Sequence, residues 1–471
     1  LRLQSDEAYV SIEELSAGYT KPDVIRGASL RVGKGEGALI AGPSGSGKTT
    51  LFLAMTGVLS HLLEGKVEGK ASIGGLDPLK LEDYELLPSK IGIVLQDPEK
   101  QIAMPTPIDE LTFILENFGY SREEAEKRAA EALESVGLQS KANFHVENLS
   151  GGEKRRLTIA ASTVHDPPIL LMDEPTASID PWGIAEIRGL IRSSLDKGMA
   201  VLLIEHKPVF FKDLFERIYI LRGGKLDKFE EKDEKSIRDV DFSVKECGEE
   251  KGKDIGSGKR VIEARDLAVG YGRAILRAEE LEMKEGEIVA IVGPNGSGKT
   301  TILKTIAGFI GPIEGEIVGE RRRFYVPQFP DMLFIKRTVE EELRDQKMDP
   351  RARGSLKDLF PWYSSLKSSN PFRLSHGQRR WLSILIALGY DPSVLLLDEP
   401  SSGLDLILYN KLVDLLKRVK NSGKSVMIST HDPRLIGDLA DRVYYIKDGR
   451  MAEKGKSEAC SELYEVAGVV R

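Results

Sequence analysis

Hydrophobic and polar residues alternate at the start of each half of this chain, from Tyr9 to Leu15 and again from Val261 to Val269, a spacing that predicts half-buried β-strands. Unbroken apolar runs follow: Ala38 to Ala41, Ile169 to Met172 and Val201 to Ile204 in the first half, then Ile288 to Val292, Val394 to Leu397 and Val426 to Ser429 in the second. Short runs without alternation suit strands covered on both faces, as in a parallel sheet. Helical patterns lie between them. Ser121-Arg-Glu-Glu124 carries the residues of a capping box and opens an Ala/Glu-rich helix, whereas the matching insert in the second half is less clearly marked. Strands interleaved with helices imply an α/β domain with a mostly parallel core sheet, built twice.

The motifs make the duplication explicit. Gly42-Pro43-Ser44-Gly45-Ser46-Gly47-Lys48-Thr49, followed by Thr50, fits G-x-x-x-x-G-K-[ST]. So does Gly293-Pro294-Asn295-Gly296-Ser297-Gly298-Lys299-Thr300, followed by Thr301. Each stands between an apolar strand and a helix-like stretch, the context that separates a phosphate-binding loop from a chance match. The glycines let backbone N–H groups turn inward on phosphate oxygens. The lysine supplies a point charge, and the hydroxyl of Thr49 or Thr300 suits Mg²⁺. Two glycine-rich turns that merely capped helices would not need Lys-Thr at the same offset both times.

Lys48 and Lys299 lie 251 residues apart, and Ala17-Gly-Tyr19 matches Val269-Gly-Tyr271 at 252. Downstream the offset is 225: Leu149-Ser150-Gly-Gly152-Glu153 against Leu374-Ser375-His376-Gly377-Gln378, Leu170-Leu-Met-Asp-Glu-Pro175 against Leu395-Leu-Leu-Asp-Glu-Pro400, and His206 against His431. The second copy is therefore shorter, with its deletions between the phosphate loop and the Leu-Ser motif. A period this long means duplicated domains. The expected boundaries are residues 8–230 for the first domain, 231–259 for a charged, solvated linker with a flexible point at Gly256-Ser-Gly258, and 260–458 for the second.

Val94-Leu-Gln96 and Val326-Pro-Gln328 end apolar strands, so Gln96 and Gln328 are matched candidates for contact with metal or water. Asp173 and Asp398, each at the tip of a strand, are placed to hold hydrated Mg²⁺. The next residue, Glu174 or Glu399, suits a base for an attacking water. A histidine follows that glutamate by 32 residues in both halves, which favours an active-site role for His206 and His431. Ser150 with Gly152, and Ser375 with Gly377, open helices and form a second anion site in each half.

Composition narrows the setting. A chain of 471 residues is too long for one core, and 41% hydrophobic with 30% charged residues reads as globular. No apolar run reaches the roughly 18 residues that span a bilayer. The N-terminus shows no signal peptide and no initiating Met. Two cysteines, Cys247 and Cys460, exclude a disulfide framework or a cysteine-based metal module and point to a reducing, cytosolic setting. The net charge of -7 argues against a general nucleic-acid binder. High Glu and Lys with seven Gln leans toward a thermophile.

In this order, and twice over, these elements resemble the ATP-binding cassette (ABC) family across nearly the whole chain apart from the linker. The resemblance implies two tandem P-loop NTPase domains, each with a mostly parallel core sheet, an antiparallel β subdomain and a helical subdomain. It implies ATP and Mg²⁺, with Tyr19 and Tyr271 stacking on adenine and Asp180 and Asp405 in D-loops. The two cassettes would pair head-to-tail within one chain. Lys48, Thr49, Gln96, Asp173, Glu174 and His206 would then work with Ser375 and Gly377, and Lys299, Thr300, Gln328, Asp398, Glu399 and His431 with Ser150 and Gly152. His376 departs from the family's glycine, but Ser375 and Gly377 remain, so both sites are expected to hydrolyse, at rates that need not be equal.

Gln96-Asp-Pro-Glu-Lys-Gln101 and Glu205-His206-Lys207 are similar to the energy-coupling-factor (cobalt/vitamin-type) importer ATPases. That likeness implies a peripheral protein at the cytoplasmic face of the membrane, powering uptake of a vitamin, vitamin precursor or metal ion. Its partners would be a membrane coupling subunit and a substrate-binding subunit, with no nucleic acid. Ile102, Ala103, Met104 and Pro105, and Met332, Leu333, Phe334 and Ile335, are apolar for a surface loop, which suits local core or a groove that receives a cytoplasmic helix of that partner. The rival reading is a soluble twin-cassette ATPase acting on ribosomes or nucleic acid. The short, acidic-leaning stretch from Phe229 to Gly258 and the absence of an N-terminal cysteine cluster disfavour it. A fused sugar-importer ATPase is disfavoured because such proteins commonly carry one degenerate cassette.

Overall fold

The computed structural model describes residues 8–43, 45–95, 100–176, 179–230, 240, 242, 244 and 258–469. Ser44, Gln96, Cys247 and most of the 231–259 stretch lie outside the described residues. Two compact units form, residues 1–179 with 183–243, and 180–182 with 244–471.

In the first unit, Ala8–Gly18 pairs antiparallel with both Ile25–Gly33 and Lys66–Ile73, giving a three-stranded sheet. Val10, Ile12 and Leu15 carry the expected alternation into a buried face. A second sheet runs in the order Ile91–Val94, Ile169–Asp173, Ala200–Glu205, Gly37–Ala41, Arg217–Arg222 and Lys225–Lys228. It is parallel except for its final hairpin. The central strands Ile169–Asp173 and Ala200–Glu205 are buried at every position, as their unalternating sequence requires.

The second unit repeats this order: Arg323–Val326, Val394–Asp398, Ser425–Thr430, Ile288–Val292, Arg442–Lys447 and Arg450–Lys454. Here the short pairing of Arg277 and Ala278 with Arg450 and Met451 joins the antiparallel strands to the parallel ones, so a single nine-stranded sheet results. In both units the phosphate loop leaves the carboxyl end of an inner parallel strand. That is where a crevice opens in sheets of this kind.

The deletions have a structural counterpart. The first unit inserts helices Val58–His61 and Leu81–Tyr84 between its phosphate loop and the strand before Gln96, whereas the second passes directly from Glu314–Gly319 to Arg323–Val326. In the first unit the helices Pro107–Asn117, Arg122–Ser135 and Gly151–Thr163 close over their own core of Leu111, Leu115, Ala129, Leu133 and Leu157. The second unit has shorter pieces, Val339–Leu343, Pro350–Leu359 and Tyr363–Leu366, before His376–Gly389. Their core runs without a break into the sheet through Leu382, Leu395 and Leu397.

Three expectations change. At Ser121 only half of the capping box forms: the hydroxyl accepts the Glu124 N–H, without the reciprocal bond. Within the stretch expected to be solvated, Val240 and Phe242 are buried against Ala41 and Ile220, and Phe242 stacks on Phe229 at 4.2 Å. Apolar side chains among charges found a surface to cover. Past residue 458 the chain continues through the helix Lys456–Val466, whose Cys460 and Leu463 pack against Ala290 and Val292. No helix among the described residues is long and apolar enough to cross a membrane.

Candidate active site

Each phosphate loop turns on glycines in the left-handed region: Gly45 and Gly47 at φ 76° and 100°, and Gly296 and Gly298 at 79° and 102°. Gly47 and Gly298 also lie against Ile25 and Leu276, where a Cβ would meet those side chains at 2.8 and 3.2 Å. A side chain at either position would push the loop off the strand behind it. Both lysines fold into their own loops. Lys48 Nζ donates to the carbonyls of Gly42 and Pro43 at 2.9 and 3.2 Å, and Lys299 Nζ to those of Gly293 and Pro294 at 2.7 and 3.0 Å. Thr50 and Thr301 are buried one turn into the helices that follow.

The carboxylates stand at the ends of Ile169–Asp173 and Val394–Asp398, each separated from the phosphate-loop strand by one strand of the sheet. Glu174 and Glu399 both adopt a left-handed backbone, at φ 47° and 48°. The same backbone conformation thus recurs at the matched position of both copies. The Glu174 N–H donates to the Ile204 carbonyl and the Glu399 N–H to that of Ser429, which tethers each glutamate to the strand preceding its histidine.

The two copies part in their contacts. Thr300 and Tyr325 hydroxyls donate to Asp398 Oδ2 at 2.7 and 2.9 Å, and Ser429 Oγ donates to Oδ1. Asp173 Oδ1 is buried without a hydrogen-bond partner, and burial followed by the neighbouring Glu174 charge pushes the Asp173 carboxyl up to about 7. His431 Nδ1 lies 3.0 Å from Glu399 Oε1, and Lys299 Nζ lies 3.6 Å away. In the first unit the order is reversed: Lys48 Nζ is 3.2 Å from Glu174 Oε1 and His206 Nδ1 is 3.9 Å from Oε2.

Buried arginines fix the strand ends that carry the glutamines. Arg380 donates to the carbonyls of Pro327 and Gln328, and Arg155, at the matching position, donates to the Leu95 carbonyl at 2.6 Å. Gln101, the second glutamine of the Gln-x-Pro-x-x-Gln segment, bonds the Leu95 N–H and the Ile93 carbonyl through its side-chain amide. Just beyond, the buried Glu110 accepts the N–H groups of Ala103 and Met104, and Glu342 those of Ile335 and Lys336. None of Tyr325, Arg155, Arg380, Glu110 or Glu342 was singled out from sequence. The recoverable signal was their recurrence: Arg155 and Arg380 keep the 225-residue offset, and Glu110 and Glu342 each follow a threonine by four.

Ser150 and Ser375 are N-caps of Gly151–Thr163 and His376–Gly389, both in complete capping boxes with Glu153 and Gln378. Gly152 is exposed, while a Cβ on Gly377 would meet Leu408 at 2.8 Å. His376 faces Gly403, where a Cβ would fall 2.6 Å from the imidazole Cδ2. Gly403 is also left-handed, at φ 71°. Gly403→Ala is expected to cost about 1–3 kcal/mol through overpacking and strain, read as a lower urea midpoint. Adding His376→Gly should recover the steric share; no recovery would mean that the two do not compete for space.

Tyr19 and Tyr271 stand exposed where the hairpins Ala8–Gly18/Ile25–Gly33 and Arg260–Gly270/Ala274–Lys284 turn. The second strands of those hairpins are the ones that back the phosphate loops.

The residues present suit a magnesium nucleotide. Ser46 Oγ and Ser297 Oγ are buried in the loops without partners, which is costly unless an acceptor is taken on. Space is open on the Cβ side of Gly45 and Gly296. No cluster of three or more acidic, His or Cys residues that could cage a metal occurs among the described residues. Magnesium does not need one, because it uses one or two protein oxygens with water and phosphate.

Residues 25–177 and 276–402 match the family described as ABC transporter. A provisionally named ABC transporter ATP-binding protein of Saccharolobus solfataricus is 31% identical over 96% of this chain and 94% of its own length. The Bacillus subtilis protein provisionally named HMP/thiamine import ATP-binding protein YkoD is 29% identical over 96% of this chain and 92% of its own length. Among solved structures, an archaeal ribosome recycling factor, determined with a ribosomal stalk protein, superimposes with a TM-score of 0.68 at 21% identity, covering 96% of this chain and 92% of that one. At that identity the likeness shows the fold alone.

Proposed function

The chain belongs to the ABC transporter family with two ATP-binding cassettes, and from that premise we propose that it is the ATP-hydrolysing subunit of a membrane importer of the energy-coupling-factor type, serving a vitamin, a vitamin precursor or a metal ion. The carrying observation is the end-to-end similarity to a twin-cassette-length protein named for thiamine-type import.

In each cassette the phosphate loop binds the nucleotide, with Lys48 or Lys299 leaving its loop carbonyls for phosphate oxygens. Thr49, Gln96 and Asp173, or Thr300, Gln328 and Asp398, would hold Mg²⁺, whose role when bound is to offset phosphate charge. Glu174 or Glu399 orients a water and takes its proton, and His206 or His431 steadies that glutamate or the phosphate beside it. Ser150 and Ser375, with Gly152 and Gly377, present helix N-termini to phosphate.

The mechanical output needs a partner. In the second cassette Phe329, Met332 and Ile335 are 65, 74 and 73% exposed and follow Gln328 directly. We assign them to the seat of a membrane subunit's cytoplasmic helix. Affinity purification of the full chain from its native host should retain small integral membrane proteins, and the recovered complex should bind the transported compound. Retention of ribosomes without membrane subunits would overturn the proposal.

A further inference from the structure

The residue before each histidine differs: Glu205 in the first cassette, Thr430 in the second. Glu205 is fully buried, and its carboxylate accepts the hydroxyl of Thr176 and the N–H groups of His206 and Lys207, the latter two at 2.7 and 3.2 Å. Its Oε1 also lies 2.9 Å from His206 Nδ1.

In the second cassette the buried carboxylate sits on the other side of the histidine. Asp432, matching Lys207, accepts the hydroxyl of Ser401, which matches Thr176, and is ion-paired with Arg434 at 2.6 Å. Asp432 is turned to Arg434, and His431 Nδ1 bonds Glu399. One buried carboxylate is thus anchored to the same hydroxyl position in both copies, but only in the first does it compete for the imidazole.

We infer that Glu205 is a positioning residue that draws His206 off Glu174, so that the base of the first cassette stands 3.9 Å from its imidazole where Glu399 has one at 3.0 Å. A base held closer to its imidazole is the more effective one, so the first cassette is the slower. The inference rests on the hydrolytic roles proposed above for Glu174 and Glu399.

The test transplants the second arrangement. In a Glu399→Gln background, Glu205→Thr with Lys207→Asp is expected to raise kcat about tenfold with KM for ATP unchanged. The converse pair, Thr430→Glu with Asp432→Lys in a Glu174→Gln background, should lower kcat similarly. Glu205→Gln keeps the size and one oxygen for the His206 and Lys207 N–H groups, reverses the bond with the Thr176 hydroxyl, and removes the charge. It should move the His206 ring-nitrogen NMR signal toward that of His431, which a merely structural role would not do, and it carries the test if the exchanged pair fails to fold. Unchanged kcat in both exchanges, or an unmoved His206 signal in Glu205→Gln, overturns the inference. Full hydrolysis by the Glu174→Gln/Glu399→Gln double variant would instead overturn the hydrolytic reading itself.

Discussion

Replacing Glu174 and Glu399 together by Gln is expected to lower ATP turnover roughly 10²–10⁴-fold, the usual contribution of a general base, with nucleotide affinity retained. Glutamine keeps the shape. The N–H tethers to Ile204 and Ser429 are made by the backbone and survive the change. What is lost is a carboxylate beside Lys48 or Lys299 and beside the histidine. Each single change should remove its own cassette's share, and Glu399→Gln should remove the larger. Phosphate release and fluorescent-nucleotide titration on the same preparations separate turnover from binding. Full activity surviving either single change would sink the two-site account.

Phe334→Ala is expected to destabilise the second cassette by about 3–5 kcal/mol, the range for a buried aromatic truncated to Ala. This decides between the core and groove readings of Phe334. Phe334 is 6% exposed, meets Phe372 edge-on at 5.9 Å, and belongs to the core that includes Val339, Leu374 and Trp381. Ile335, its neighbour, is 73% exposed. Ile335→Asp should therefore shift Tm by no more than the few tenths of a kcal/mol usual at the surface, about 1 °C, yet abolish co-purification of membrane subunits. A Phe334→Ala variant that melts with the parent would refute the core assignment. An Ile335→Asp variant that keeps its partners would refute the docking assignment.

Much of the fold was legible because its signals are local. A glycine-rich loop between a strand and a helix, and a strand ending in Asp-Glu-Pro, are each written in consecutive residues. Phe334 reads equally as core or as groove because the segment after Gln328 is apolar at almost every position, and only the packing of Phe372 and Trp381 decides which residue turns inward. The helices of the second insert, five, ten and four residues long, are too short for periodicity to register. Glu110 and Glu342 look like first-turn helix acids, which is a sufficient reason for a glutamate at that place. Their second task, gathering two N–H groups of a preceding loop, appears only when that loop folds back. The competition between Glu205 and Glu174 for one imidazole was equally out of reach, since it depends on the strand Ala200–Glu205 lying beside Ile169–Asp173.

That carboxylate grip on the loop has an evolutionary corollary. Because Glu342 fixes the backbone at Ile335 and Lys336, and Glu110 does so at Ala103 and Met104, the side chains displayed there are free to change without altering the shape of their platform. A duplicated gene could then diversify its two contact faces independently, one substitution at a time, each copy acquiring its own partner while the machinery behind the loop stayed as it was.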